Sequence, residues 1–406
     1  MIKPQELQQV ILCDVGTLQI DKKAEKVALS DCVGRIVATD ITSPLDIPPA
    51  AVSAMDGYAV SLADADPSKP AVFECIGESV AGKPFVGSIE NRQCIRIMTG
   101  ARVPDGVDTV IMQENVTRTD NTINLTRFAT PGDNIRQRGE EVTRGEMVLH
   151  QGHLIADSDI PLLAAMGMAD VPVYPRLRVG LFSTGGELCE LGKPLTGAQI
   201  YDSNRPTIKA LLRPHPVAIN DYGIIEDDLA VITETLKKAA DENDIVVTSG
   251  GVSVGDYDFL KDAVSSVGNV IQYKVALKPG KPFVYGKIGK ARYFGLPGNP
   301  LSTALSARLF LLPAIYRYFD AHPLGLQFRG ELSNAIKRKA GRAELQRGVA
   351  EYGNDGKWRV STAGSQDSHR VYQLSRANVL VFLSAEQTEL SVGDTVELLP
   401  LYGRFL

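Results

Sequence analysis

Four glycine-rich loops fall one after another at the ends of predicted strands, and they constrain this chain more than any other feature. They are S-T-G-G-E-L (183–188), T-S-G-G-V-S-V-G-D-Y-D (248–258), K-P-G-K-P (278–282) and G-L-P-G-N-P-L-S (295–302). Apolar runs at 177–183, 244–248, 270–277 and 292–296 read as the strands that lead into them, with a further strand near 217–220. Helical patterns lie between. Asn204–Leu212 tolerates Pro206 in a first turn. Leu229, Ile232, Leu236 and Ala239 mark one face of a helix that starts at Asp227 or Asp228. Another helix begins near Tyr257, and 300–319 is a long apolar one. This alternation predicts right-handed crossovers and a mostly parallel sheet. Ligands of such sheets bind outside the carboxyl ends of the strands, which is where the four loops fall.

Glycines at strand ends let backbone N–H groups approach a phosphate, and a following helix adds the positive end of its dipole. One such loop is an ordinary tight turn; four in succession predict a cleft. The pattern G-x-x-x-x-G-K-[ST] is absent, as is G-x-G-x-x-G, so neither a common nucleotide hydrolase nor a dinucleotide-dependent dehydrogenase is indicated. Lys278 and Lys281 flank a Pro-Gly kink and could both address one anion, or be two solvated lysines. Glu187, Asp227, Asp256 and Asp258 lie on or beside the loops, where carboxylates often hold Mg²⁺ against phosphate oxygens. Asp227 could equally cap a helix, and Asp258 could serve a helix dipole.

The remaining sequence has a different texture. Residues 4–12 read as a short helix, and Pro44, Pro48 and Pro49 mark an edge or linker. Between about 50 and 135, short apolar runs alternate with turn residues, as in a small β-rich domain. There, S-A-M-D-G-Y-A (53–59) places Asp56 before a glycine, and R-I-M-T-G-A (96–101) does the same for Thr99. N-I-R-Q-R-G-E-E (134–141) offers Arg136, Arg138 and Glu141. Each alone reads as a hairpin turn or a surface ion pair. Leu162, Leu163 and Met166 are at helical spacing, and 140–176 is expected to pack with the N-terminal 45 residues. Residues 328–406 read as a small barrel or sandwich. His150 and His153 could share a helical face, but no third metal ligand is evident.

Composition narrows the partners. The 406 residues carry a net charge of −5 with no run of Lys and Arg, which argues against nucleic acid. Five scattered cysteines without a C-x-x-C pair fit a reducing compartment rather than a disulfide scaffold. No apolar run approaches the ~18 residues of a membrane span, and the first residues lack the apolar core of a signal peptide. A cytoplasmic protein is the expectation.

These motifs together resemble the molybdopterin molybdenumtransferase family, which includes bacterial MoeA and the C-terminal part of gephyrin. The carriers are S-A-M-D-G-Y-A, I-M-T-G-A, R-G-E-E, S-T-G-G-E-L, S-G-G-V-S-V-G, K-P-G-K-P and G-L-P-G-N-P, in order over nearly the whole chain. The resemblance implies a multidomain α/β plus β protein. A segmented linking domain (1–45 and 140–176) and a β-rich insertion (46–139) precede a central α/β molybdopterin-binding domain (177–325) and a C-terminal β-barrel (326–406). It also implies a homodimer whose cleft lies between the α/β domain of one subunit and the insertion of the other. The implied reaction takes molybdate and adenylylated molybdopterin and yields molybdenum cofactor and AMP, with Mg²⁺.

By position in these motifs, the resemblance assigns Asp56, Thr99, Arg136, Glu187, Asp227 and Asp258 to the cleft. Glu187, Asp227 and Asp258 are the implied Mg²⁺ ligands. Ser249, Gly250, Gly251, Ser253, Gly255, Pro297, Gly298 and Asn299 would line the phosphate and pterin loops. Lys278, Lys281, Ser302, Arg342 and Ser368 would meet the molybdate. Three stretches depart from the family pattern. Gly186 stands where the family often has Asp, A-A-V precedes Ser53 in place of F-D-N, and 365–370 diverges. A molybdopterin adenylyltransferase and a non-catalytic scaffold of the same fold are the alternative readings.

Overall fold

The computed structural model describes residues 1–17, 23–63, 71–250, 259–321, 327–362, 364–368 and 370–401. The chain forms two compact units. One comprises Thr39–Gln151 and Asp157–Val171; the other comprises Met1–Ala38, Gly152–Ala156 and Pro172–Leu406.

The smaller unit is built on a six-stranded sheet. Its strands are β1 (Gly57–Val60), β2 (Val72–Ser79), β3 (Gln93–Ile97), β4 (Thr109–Met112), β5 (Val116–Thr119) and β6 (Thr122–Leu125), in the order β4-β1-β3-β2-β6-β5. The period-2 alternation of a strand supplies both cores. Tyr58, Val60, Phe73, Cys94, Ile111 and Ile123 pack on one face. Ala59, Ile95, Ile97 and Val110 pack on the other. Gly57 is required where β1 meets β4, because a Cβ there would lie 1.9 Å from the Ile111 carbonyl oxygen. Two short antiparallel ladders carry the chain into and out of this sheet: Ile41–Thr42 with Met147–Leu149, and Val52–Ser53 with Ile135–Arg136. His150 and His153 follow the first ladder in non-helical backbone, so the expected shared helical face does not form.

In the larger unit, the central sheet contains β7 (Leu177–Thr184), β8 (Val217–Ile225), β9 (Ile245–Ser249), β10 (Gly268–Lys274), β12 (Pro282–Ile288) and β13 (Ala291–Leu296). The order is β8-β7-β9-β13-β12-β10. The first four are parallel, and β12 and β10 run antiparallel at one edge. The mostly parallel expectation holds, and the antiparallel edge follows from connection length. Only Gly289 and Lys290 link β12 to β13, too few for a crossover. The predicted strand at 270–277 is in fact two elements, because β11 (Leu277–Lys278) leaves this sheet for the next one.

Helices cover both faces. α1 (Pro4–Gly16) buries Leu7, Ile11 and Val15, one residue per turn. α2 (Asn204–Leu212) buries Ile208 and Leu212. α3 (Leu229–Glu242) buries Ile232, Leu236 and Ala239, whereas Leu229, expected on that face, is exposed in the first turn. α4 is Phe259–Val267. The predicted helix at 300–319 consists of α5 (Pro300–Ser306), a π-turn at Ala307–Leu311 and α6 (Leu312–Tyr318). Pro313 cannot donate to the Leu309 carbonyl four residues back, and Gln8 Nε2 from α1 donates to it instead at 2.9 Å.

The C-terminal region closes into a barrel. Strands β14 (Phe328–Leu332), β15 (Ala343–Tyr352), β16 (Trp358–Thr362), β17 (Val379–Leu383) and β18 (Thr395–Pro400) pair in the order β15-β16-β14-β18-β17, and β17 returns to β15. Of the barrel and sandwich that the sequence left open, the barrel is the one formed. β11 adds to it in parallel, with Lys278 opposite Glu344. No helix among the described residues is long and apolar enough to cross a membrane, and all five cysteines are free thiols.

Candidate active site

The carboxyl ends of β7, β9 and β13 converge. Gly250 N–H donates to the Leu296 carbonyl at 3.3 Å. Gly250 has φ +97°, and a Cβ on it would sit 2.7 Å from the Thr184 carbonyl oxygen. Only glycine fits a left-handed position pressed against a neighbouring strand. Gly298 approaches Gly250 closely enough that its own Cβ would lie 3.7 Å from the Gly250 Cα. Asn204, at the start of α2, donates to the Gly298 carbonyl at 2.8 Å. Three strand-end loops and one helix start therefore share one cradle. Ser183 Oγ, Ser249 Oγ and Asn204 Oδ1 are buried here without hydrogen-bond partners among the described residues. Buried polar atoms are normally paired, so these three are candidate ligand contacts. Gly251, Ser253 and Gly255, expected in the same loop, and Asp256 and Asp258 lie outside the described residues.

Asn299 caps α5. Its Oδ1 accepts from Ser302 N–H at 3.4 Å, and its Nδ2 donates to Ser368 Oγ at 3.2 Å. Pro297 precedes it, its carbonyl accepting from the Thr303 hydroxyl. Ser302 is buried in the first turn of this helix. The loop that carries Ser368 is held by Arg347, a fully buried side chain on β15 that donates to the carbonyls of Ser365 (3.0 Å) and Asp367 (3.2 Å). Gln366 bonds back to the Arg347 backbone through both ends of its amide. Ser365, Gln366 and Asp367 of the divergent segment are thus tied down by a residue outside it.

The two acidic residues that can be described converge on the Gly185-Gly186 turn. Gly186 N–H donates to Asp227 Oδ2 at 2.8 Å. A Cβ on Gly185 would lie 2.7 Å from Glu187 Oε2. The cap of α3 is Asp228, whose Oδ1 accepts from Ala230 N–H and Val231 N–H at 2.9 Å each. Asp227 is therefore free of the capping role. Glu187 on this turn and Asp227 beside it are exposed and carry hard oxygen donors of the kind Mg²⁺ takes, and among the described residues no group of three or more metal-ligand side chains gathers.

Lys278 and Arg342 line one cavity of about 520 Å³ on the β11–barrel junction, together with Lys337, Arg338, Lys339 and Glu344. The cations outnumber the carboxylates on its wall, so it favours an anion. Lys278 Nζ lies 3.1 Å from Glu344 Oε1. Lys281 is exposed and is not among the residues lining the cavity.

In the smaller unit, Asp56 and Thr99 do meet. The Asp56 carboxylate accepts from Thr99 N–H at 2.7 Å and Thr99 Oγ1 at 2.8 Å. The backbone bond first and the hydroxyl second hold its pKa below the usual 3.8, with Arg96 adding to this. Arg136 is exposed on its ladder opposite Val52. Arg138 makes a surface ion pair with Asp46 at 2.6 Å, and Glu141 is exposed. Sequence reasoning missed Ser183, Asn204, Glu344 and Arg347. Asn204 opens a predicted helix and Ser183 opens the first glycine-rich loop, which were the available signals; Glu344 and Arg347 carry none.

Glycine loops meet at the ends of parallel strands, and a cavity richer in cations than in carboxylates lies at the barrel junction. Comparison with known proteins gives the family. The MoeA N-terminal region (domains I and II) matches residues 2–167, a probable molybdopterin-binding domain matches 180–317, and the MoeA C-terminal region (domain IV) matches 329–401. A molybdopterin molybdenumtransferase of Haemophilus influenzae is 39% identical over 94% of this chain and 95% of its own. One from Nostoc is 34% identical over 95% and 91%. The crystal structure of a molybdopterin biosynthesis MoeA protein from Pyrococcus horikoshii superposes with a TM-score of 0.84 at 30% identity, covering 99% of this chain and 100% of that one. The chain belongs to the MoeA family of molybdopterin molybdenumtransferases, enzymes of molybdenum cofactor biosynthesis.

Proposed function

We propose that the strand-end cradle takes the phosphates of adenylylated molybdopterin and that the cavity beside Lys278 and Arg342 takes molybdate. The observation that carries this is the link between the two places. Asn299 belongs to the glycine loop of the cradle, caps α5 over Ser302, and reaches Ser368 on the barrel side. One side chain thereby ties an oxyanion position to a phosphate position. Lys278 and Arg342 bring charge on the cavity wall; Ser302, Ser368 and Lys281, the other oxyanion residues of the motif, do not line the cavity and would meet the molybdate only at its edge. Ser249, Gly250, Pro297, Gly298 and Asn299 hold the phosphates; the motif adds Gly251, Ser253 and Gly255, which lie outside the described residues.

Glu187 and Asp227, with Asp258, would hold Mg²⁺, which when bound neutralises phosphate charge. The chain's own groups do the rest. Backbone N–H groups of the glycine loops stabilise the phosphoanhydride as water adds to one of its phosphorus atoms and AMP leaves, the other phosphate staying on the pterin. Lys278 and Arg342 keep the molybdate where the two dithiolene sulfurs can replace two of its oxygens, which leave as water on protons from the thiols and the solvent; the sulfurs are a soft donor set suited to a transition metal. No side-chain nucleophile is required. We further infer a cytoplasmic homodimer in which Asp56, Thr99 and Arg136 of one copy serve the cleft of the other.

The test is AMP release from adenylylated molybdopterin as a function of molybdate. Release should depend on molybdate, and Lys278→Ala should raise the molybdate concentration required while leaving the pterin requirement nearly unchanged. Losing one charge-assisted contact to an anion costs roughly 1.5–3 kcal/mol. Equal losses for both substrates would place Lys278 on the phosphate and overturn the assignment.

A further inference from the structure

We propose that Glu344 is a positioning residue for the oxyanion cavity, a buried carboxylate that holds Lys278 in its binding orientation. The inference rests on the molybdate reading of that cavity. Glu344 is 3% exposed, and each carboxylate oxygen has its own cation: Oε1 faces Lys278 Nζ at 3.1 Å, and Oε2 accepts from Arg338 Nε at 2.8 Å. A carboxylate in the wall of an anion site is at first sight a liability, since like charges repel. Arg338 removes the liability. Its guanidinium is buried and further fixed by the carbonyls of Ser384 (2.7 Å), Gln387 (2.5 Å) and Arg342. Arg338 therefore cannot turn to a ligand, although it lines the cavity. Its charge is committed to Glu344.

The Arg338–Glu344 pair is neutral as a unit, yet it still presents an acceptor to Lys278. Lysine is a flexible side chain that loses rotamer freedom when it binds an anion. Lys278 is half exposed and would otherwise sample that freedom. The backbone already sets the two residues opposite each other, because β11 pairs with β15 at Lys278 and Glu344. An ammonium has three donors. One goes to Glu344 and two remain for the cavity. The tether prepays the ordering cost of Lys278 without adding net negative charge.

The experiment is a double-mutant cycle on the full-length protein, with molybdate binding measured by calorimetry and molybdate and pterin KM values measured in the AMP-release assay. Glu344→Asp keeps the charge but is one methylene too short to serve both cations. It should weaken molybdate binding by about tenfold, the scale of freezing one long side chain, and raise the molybdate KM with kcat and the pterin KM nearly unchanged. In a Lys278→Ala background the same substitution should have less than about a twofold effect. Thermal unfolding of each variant checks the wall, and Glu344→Gln, which keeps the length, serves if the aspartate variant does not fold; its coupling to Lys278→Ala is read in the same way. Equal effects in both backgrounds, or none in either, overturn the positioning role alone. A Lys278→Ala protein that binds molybdate like wild type overturns the cavity reading and this inference with it.

Discussion

Asp227 Oδ2 accepts the backbone N–H of Gly186 at 2.8 Å, whereas its neighbour Asp228 turns away to cap α3 through two backbone N–H groups. Adjacent carboxylates thus have different tasks, and substitution should separate them. Asp228→Ala loses a helix cap, which costs about 1 kcal/mol, and should lower the melting temperature while leaving AMP release near wild type. Asp227→Ala loses one exposed hydrogen bond and should melt close to wild type, but lose most Mg²⁺-dependent activity. The two readouts are a thermal melt and an Mg²⁺ titration of the reaction. The opposite pattern would mean that the metal carboxylate is misassigned.

The pair Asp56 and Thr99 makes a prediction in acid. Two hydrogen bonds from Thr99 favour the charged form of Asp56, so its pKa lies below 3.8. A depressed carboxylate contributes stability that is present above its unfolded pKa and lost as pH falls through the folded one. Thr99→Val keeps the backbone N–H and the volume but deletes the hydroxyl. The Asp56 titration, followed by NMR, should move partway back toward 3.8, because the stronger backbone bond survives. A titration that does not move would show that the hydroxyl bond is not made in solution.

How much of this was legible beforehand depended on range. Patterns of period 2 and 3.6 are local, so β7, β8, β9, β13, α2 and α3 could be read from the chain, whereas the smaller unit could be read only as β-rich. The glycine loops could be read because close backbone approach leaves few residue choices, as Gly250 against Thr184 illustrates. What could not be read was pairing at a distance. Lys278 and Glu344 are 66 positions apart and meet only because β11 deserts its neighbours for the barrel. Arg347 looks like a surface arginine until the barrel closes over it. The choice between Asp227 and Asp228 as cap is a matter of one residue in a turn, below the resolution of any periodicity.

His215 supplies a stability test away from the site. Its Nδ1 lies 2.6 Å from the Tyr316 hydroxyl. Burial first, and the nearby Arg308 second, push its pKa down from 6.5 to about 4. Between those values the unfolded chain binds a proton that the native chain refuses. Stability should therefore fall as pH drops from about 6.5 toward 4, by on the order of 1 kcal/mol after allowance for partial exposure. His215→Asn cannot titrate in this range. It should be less stable at pH 7 but lose less on acidification, as read from urea midpoints at pH 7 and pH 5. An unchanged acid slope would shift the origin of that slope to the carboxylates.

The proposed homodimer is tested by mixing lesions. Asp56 lies in the smaller unit and Asp227 in the larger one. Take Asp56→Ala and Asp227→Ala, each inactive alone and each shown by size-exclusion chromatography to dimerise. If every cleft draws Asp56 from one copy and Asp227 from the other, a mixed dimer places both lesions in one cleft and leaves the second cleft wild type. Random pairing makes half of the dimers mixed, and half of their clefts are then intact. Co-expression should restore about a quarter of wild-type activity. If both residues served a cleft within one copy, every cleft in the mixture would carry a lesion and nothing would be rescued. Tagging the two variants differently and purifying the mixed dimer sharpens the comparison, because its activity should then rise to about half of wild type.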